Sequence, residues 1–294
     1  MSKEEIKQII QRVADGAGLM ETGIKGVQIF NQIEPIICAP VVYEPCIVAI
    51  VSGKKMAILD GISYQFDQEQ FMCCPISMPV EAGTPEASPE NPLYGVYISL
   101  DTRVMTNLAI ELESTKPAMR HAVKADVPQA FTLSKWDDDF TEALVRLMRL
   151  IEDPIDMKLL GEGRLYELYY TLLKGEAGAS VRRSFGVGND IARSIEYIAA
   201  QLNQTISIDD MADFAGMSRA VFHRKFKQAT RMSPIQFMKS MRLNHAAMQI
   251  AKGVNVNVAA MEVGYVSSSQ FSREFKRLYG RSPKQWGSEQ KFAA

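Results

Sequence analysis

Apolar side chains recur at Ile6, Ile9, Ile10 and Val13, the three-and-four spacing that predicts a short amphipathic helix near the start of the chain. Between residues 27 and 100 the period shortens. Runs such as CIVAIVSG, KKMAILDGISYQF, QFMCCPISMPVEA and YGVYISLD are β-branched and aromatic, with breakers at Gly53, Asp60-Gly61, Pro75, Gly83 and Pro85. Short strands at such spacing predict a β-sandwich or small barrel. After Asp101 the period lengthens again, and helices are expected over 102–113, 137–151 and 157–173. In the second of these, Phe140, Leu144, Leu147, Met148 and Ile151 form an apolar stripe behind an acidic start. Such a stripe serves either a core or a helix-to-helix dimer seam. The stretch GEAGASVRRSFGVGN, residues 175–189, has no apolar period and reads as a linker. Beyond it Ile191, Ile195, Ile198 and Leu202 open a region that is helical to the end.

That last region repeats itself. Phe222, Arg224, Phe226, Lys227, Ser233 and Pro234 recur 49 residues later as Phe271, Arg273, Phe275, Lys276, Ser282 and Pro283. Ala212 and Gly216 recur only 48 later, as Ala260 and Gly264, so the second copy holds one more residue in its turn. Each copy has the parts of a helix-turn-helix: a small residue for close helix packing, a glycine for the turn, and a Ser to cap the next helix. Phenylalanines four apart face inward. This leaves Arg219, Ala220, His223, Arg224 and Lys227 outside in the first copy, and Ser268, Ser269, Ser272, Arg273 and Lys276 in the second. Recognition helices read base edges through their N-terminal half and meet phosphate through nearby Lys and Arg, so both faces are candidate double-stranded DNA contacts. Between the copies, PIQFMKSMRLNHAAMQIA has Pro at its start and Gly253 just past its end. Eighteen residues of helix make a rod of roughly 27 Å, close to the ~34 Å between successive major grooves on one side of a duplex.

Charge supports this division. The 294-residue chain has a net charge of −1, but residues 184–294 carry 15 Lys plus Arg against 8 Asp plus Glu, and the rest carries 18 against 26. A basic module joined to an acidic one points to a polyanion partner for the basic part. Cys38, Cys46, Cys73 and Cys74 match no zinc spacing, and reading them as strand packing leaves a thiol sensor at Cys73 and Cys74 as the alternative. No secretory h-region or membrane-length apolar run is visible, so no membrane partner and a cytoplasmic location are expected.

The segment RLNHAAMQIAKGVNVNVAAMEVGYVSSSQFSREFKRLYGRSPKQW closely resembles the signature of the AraC/XylS family of bacterial transcription regulators. Its marks are Arg242, Ala246, Ala260, Gly264, Tyr265, Phe271, Arg273, Phe275, Lys276, Gly280, Ser282 and Pro283. Tyr265 stands where the family usually has Phe, a change expected to leave the packing intact, and Thr230-Arg231-Met232 stands where the first copy usually has a Gly. The resemblance implies base-reading roles for Ala220, His223 and Arg224, and for Ser268, Ser269, Ser272 and Arg273. The N-terminal half, around YEPCIVAIVSGKKMAILDG, is similar to an AraC-type N-terminal domain, which implies a cupin-like β-sandwich that binds a small effector or dimerises. Cupin metals are held by several His and a Glu, but His121 is the lone His before residue 223, so no metal, cofactor or catalysis is expected. Met72, Met78, Tyr43, Tyr64, Tyr94 and Tyr97 are candidate pocket linings as well as candidate core.

The expected fold is therefore an α+β multidomain chain. A cupin-like β-sandwich with flanking helices occupies 1–174 and a linker 175–188, followed by an all-α domain of two helix-turn-helix motifs joined by a long helix over 189–294. The expected function is sequence-specific transcription regulation, as an activator acting with RNA polymerase, by a homodimer joined through helix 137–151. A cupin-type enzyme with an accessory DNA domain and an architectural DNA binder are the alternatives.

Overall fold

The structure is a computed structural model that describes residues 2–115, 130–186 and 189–290; His121 lies outside them. The chain divides into two compact units, Met1–Cys38 with Glu44–Ile76 and Ala82–Asn189, and Ala39–Tyr43 with Ser77–Glu81 and Asp190–Ala294.

Among the described residues ten strands follow helix α1 (Ser2–Val13): β1 (Gly18–Glu21), β2 (Val27–Gln32), β3 (Ile36–Tyr43), β4 (Cys46–Ser52), β5 (Lys55–Leu59), β6 (Ile62–Phe66), β7 (Gln70–Cys74), β8 (Met78–Thr84), β9 (Leu93–Ser99) and, after α2 (Thr102–Thr115), β10 (Thr132–Lys135). They form a six-stranded sheet in the order β1-β2-β9-β4-β7-β10 and a four-stranded sheet in the order β3-β8-β5-β6, the expected β-rich domain. Within the larger sheet Ile47 lies opposite Cys73 on one side and Ile98 on the other. Ile47, Ala49, Phe71, Cys73, Val96 and Ile98 pack with the helices into one core. The alternate residues Cys46, Val48, Ile50, Met72 and Cys74 are buried too. A sheet covered on both faces reads as unbroken apolar runs, which accounts for CIVAIV and FMCC.

Three helices follow: α3 (Asp138–Arg149), α4 (Pro154–Lys174) and α5 (Gly178–Phe185). Asp137 caps α3 by accepting from the Phe140 amide, and Asp153 caps α4, which has Pro154 in its first turn. The α3 stripe is core. Phe140, Leu144, Leu147 and Met148 are at most 1% exposed, and Phe140 stacks on Phe71 at 4.2 Å between centroids. The stripe is thus covered by its own chain, and the dimer seam expected on 137–151 is not available there.

The expected linker is also corrected. Most of it is α5, whose Val181 and Phe185 join the same core; residues 187 and 188 lie outside the described residues. Its small residues serve close packing: a Cβ on Gly178 would overlap the Leu173 carbonyl oxygen. The buried Arg182 guanidinium donates to that same oxygen, satisfying a carbonyl at the C-terminal end of α4.

Among the described residues no cluster of His, Cys, Asp or Glu could hold a metal ion, and no helix is long and apolar enough to cross a membrane.

Candidate nucleic-acid interface

The helical part of the second unit opens with α6 (Asp190–Ala200), followed by two hairpins and their spacer. The first hairpin is α7 (Ile208–Phe214) and α8 (Arg219–Thr230), the spacer is α9 (Pro234–Ala251), and the second hairpin is α10 (Val256–Glu262) and α11 (Ser268–Tyr279); α12 (Pro283–Gln290) is the last element among the described residues. The starts of α7 and α9 have a local cause. Ser207 and Asp210 form a capping box on α7, and Ser233 and Gln236 form one on α9 behind Pro234. The repeat carries the device as well as the letters, since Ser282 and Gln285 exchange the same bonds at α12. Asn244 of α9 is held within this unit, donating to the carbonyls of Val41 and Val80 at 2.9 and 3.0 Å.

The two turns are built alike. In the first, Gly216 has φ +62° and Met217 N–H donates to Ala212 O at 2.9 Å; in the second, Gly264 has φ +83° and Tyr265 N–H donates to Ala260 O at 2.9 Å. Only a residue without Cβ adopts this left-handed conformation at little cost. From there the copies diverge by one residue. Met217 leads straight to the N-cap Ser218, whereas Tyr265 is followed by Val266, fully exposed, before the N-cap Ser267. The extra residue inferred from the repeat is therefore Val266. The Ser267 hydroxyl accepts from the Gln270 amide at 3.3 Å, while Ser218 occupies the cap position without a side-chain bond.

Beyond the caps the phase is common to both. Phe222, Phe226, Phe271 and Phe275 are fully buried, with centroid separations of 5.3 Å and 5.4 Å within the pairs. Turning these inward leaves Arg219, Ala220, His223, Arg224 and Lys227 exposed on α8. Ser268, Ser269, Arg273 and Lys276 are exposed on α11, with Ser272 half-buried. All ten residues singled out from the sequence thus lie on the two outward helix faces, Arg219 reaching Asp209 at 3.2 Å. The structure adds Gln270, Glu274 and Arg277, which with Arg273 line an open depression on α11. They were missed because the repeat drew attention to positions shared by both copies.

Two departures from the family pattern resolve. Tyr265 packs edge-on against Phe271 at 5.2 Å, as a Phe would, and its hydroxyl donates to Glu274 at 2.9 Å. Burial and that carboxylate push its pKa up. Arg231, at the place of Gly280 in the second copy, takes the left-handed conformation itself, with φ +64° against +72°. The first recognition helix therefore ends as the second does.

Two tandem hairpins with cationic and hydrogen-bonding outer faces define a helix-turn-helix DNA-binding protein. The chain belongs to the AraC-type transcriptional regulators: the family model for their N-terminus matches residues 23–180, more than half its length, and a helix-turn-helix domain model matches residues 211–289. An uncharacterised HTH-type transcriptional regulator of Haemophilus influenzae is 41% identical over 80 residues, 27% of each chain. The regulatory protein SoxS of Salmonella typhimurium is 32% identical over 90 residues, 30% of this chain and 84% of that one. The matches span between about a quarter and a half of the length of the first relatives. ToxT from Vibrio cholerae O395, bound to (E)-4-(8-methylnaphthalen-1-yl)but-3-enoic acid, superposes with a TM-score of 0.60 over 90% of this chain and 100% of that one. At 13% identity that likeness concerns the fold.

Proposed function

We propose that the chain regulates transcription by placing α8 and α11 in two successive major grooves of a promoter. The observation that carries this reading is the shared phase of the two helices, which buries the same phenylalanine pair and turns the same basic positions outward. Ala220, His223, Arg224, Ser268, Ser269, Ser272 and Arg273 read base edges, while Arg219, Lys227 and Lys276 meet phosphate. The bound chain acts on RNA polymerase as an activator, in the cytoplasm at the nucleoid.

The test is binding-site selection with Arg224→Ala and Lys227→Ala. Loss of Arg224 should cost about 1–3 kcal/mol at one base position, whereas loss of Lys227 should weaken all sequences alike and flatten the salt dependence. Wild-type binding that is indifferent to sequence would instead make the chain an architectural binder.

The first unit is read as the sensor of a small effector. Its support is Lys55 on β5, an amine 4.9 Å from the Phe30 ring centroid, whose pKa burial pulls down to about 8. Such a group over an aromatic ring suits an apolar acid, the chemistry of the molecule bound to ToxT. Thermal shift of the full chain with medium-chain carboxylic acids tests it, and a Lys55→Met variant that responds as strongly as wild type would end it.

A further inference from the structure

Two residues in the depression on α11 have no counterpart in the first hairpin: Val221 stands at the place of Gln270, and Lys225 at that of Glu274. The Glu274 side chain is only 14% exposed, and donors converge on it. Tyr265 Oη at 2.9 Å and Gln270 Nε2 at 3.2 Å each donate to one of its oxygens, and Lys239 Nζ of α9 lies 3.5 Å away. Burial raises the carboxyl's pKa, but the bonds from Gln270 and Tyr265 and the Lys239 ammonium outweigh it and hold the group below the usual carboxylate range. Glu274 is therefore an ion that accepts and never donates. That fixes its neighbour. A glutamine amide on an open surface can turn either its oxygen or its nitrogen outward. Beside a carboxylate the nitrogen must face the charge, which leaves the oxygen on the outer side. Gln270 is exposed, and its amide oxygen has no partner among the described residues. It is the third residue of α11, three before Arg273 and four before Glu274. It thus shares their side of the helix and lies in the N-terminal half that reaches base edges.

We propose that Gln270 is a base-reading residue held as an acceptor, that it selects a base with a major-groove amino group, and that Glu274 is the residue that positions it. Adenine offers that group at N6 and cytosine at N4, whereas guanine and thymine present only acceptors there. An outward amide oxygen accepts from the first two and is repelled by the other two. Glu274 supplies the discrimination without touching the base, by denying the amide its other orientation. Lys239 and Tyr265 act one step further back, keeping Glu274 ionised and in place. The Tyr265 hydroxyl, the group by which this chain departs from the Phe of the family pattern, thereby acquires a use. The first hairpin cannot work this way, since a valine and a lysine hold the two places. This deepens the DNA-reading assignment and rests on it.

Binding-site selection with the full chain, followed by affinities on single-base variants of the selected site, tests the proposal. At one position wild type should favour adenine or cytosine over guanine and thymine by at least about fivefold. Gln270→Ala should abolish that preference and leave the other positions as they were. Glu274→Gln keeps the shape but removes the charge, so the amide can turn and the ratio should narrow. Combined with Gln270→Ala it should change nothing further. A loss of folded protein cannot produce this pattern, because it cancels in the ratio of two affinities measured on one variant. Replacing the selected base by its analogue without the amino group should weaken wild type to the level of Gln270→Ala, and should not weaken Gln270→Ala again. Base preferences unaltered in Gln270→Ala, a guanine or thymine preference at the position it affects, or undiminished wild-type binding to the amino-free analogue overturns the reading role. A ratio unchanged in Glu274→Gln overturns the positioning role. Wild-type binding without preference at any position overturns the DNA-reading assignment itself, whereas selective wild-type binding that Gln270→Ala leaves intact sinks this inference alone.

Discussion

The turn glycines Gly216 and Gly264 hold equivalent places in the repeat, yet their replacement by alanine should have unequal effects. Both have positive φ, so alanine at either is strained by roughly 1–2 kcal/mol, offset by about 0.4–1 kcal/mol from a less flexible unfolded chain. At Gly216 that is the whole cost, because a Cβ there would meet nothing within 4 Å. A Cβ on Gly264 would lie 2.8 Å from the Leu202 carbonyl oxygen and 3.0 Å from that of Asn203. These are backbone atoms that no rotamer change can move aside, and overpacking of this kind adds typically about 1–3 kcal/mol. Gly216→Ala should therefore lose about 1 kcal/mol and Gly264→Ala about 2–4 kcal/mol. Urea unfolding followed by tryptophan fluorescence measures this. The chain has two Trp, so a Trp136→Phe background leaves Trp286, packed at 6.3 Å from Phe275 in the same unit, as the sole reporter. Equal losses, or a larger loss at Gly216, would show that the second turn relaxes freely and would refute the reasoning.

Tyr265→Phe should keep the contact with Phe271 but lose the bond to Glu274, at about 1 kcal/mol in the same unfolding assay. Arg231→Gly should raise stability by about 0.5–1 kcal/mol by relieving the left-handed strain, and an unchanged urea midpoint would count against it. The thiols set an alkaline limit. Burial pushes Cys46 up to about 12 and raises Cys73 and Cys74 also, so the unfolded chain gives up these protons first and stability should fall as pH rises from about 9 towards 12. Lys55, depressed to about 8, acts in the opposite sense between about pH 8 and 10.5, but as one group against three. Urea midpoints at pH 7.5 and 10 should differ less for Cys73→Ala than for wild type, and the three buried thiols should resist a thiol reagent until the chain unfolds.

What could be read from the sequence was local. The phenylalanine pairs, the Ser-Pro-x-x helix starts and the turn glycines act over a few residues, so their spacing alone located two recognition helices and all ten outward residues. Coverage is not local. The α3 stripe announces an amphipathic helix without saying what covers it, and the structure covers it with its own chain. The 175–188 segment misled for a related reason: Gly and Ser suit a flexible connection, but they also suit backbone contact, which is their use at Gly178. The strand order, with β9 between β2 and β4, joins segments far apart in the chain and leaves no mark on either.

Val266 gives the two hairpins different tolerances. Cap to first phenylalanine is the same four-residue step in both copies, Ser218 to Phe222 and Ser267 to Phe271. Turn length is thus uncoupled from the rotation of the helix that follows, and a residue gained or lost between glycine and cap leaves the outward set unaltered. Such a hairpin can change its reach toward the duplex without changing what it reads, so target spacing and target sequence can drift as separate traits.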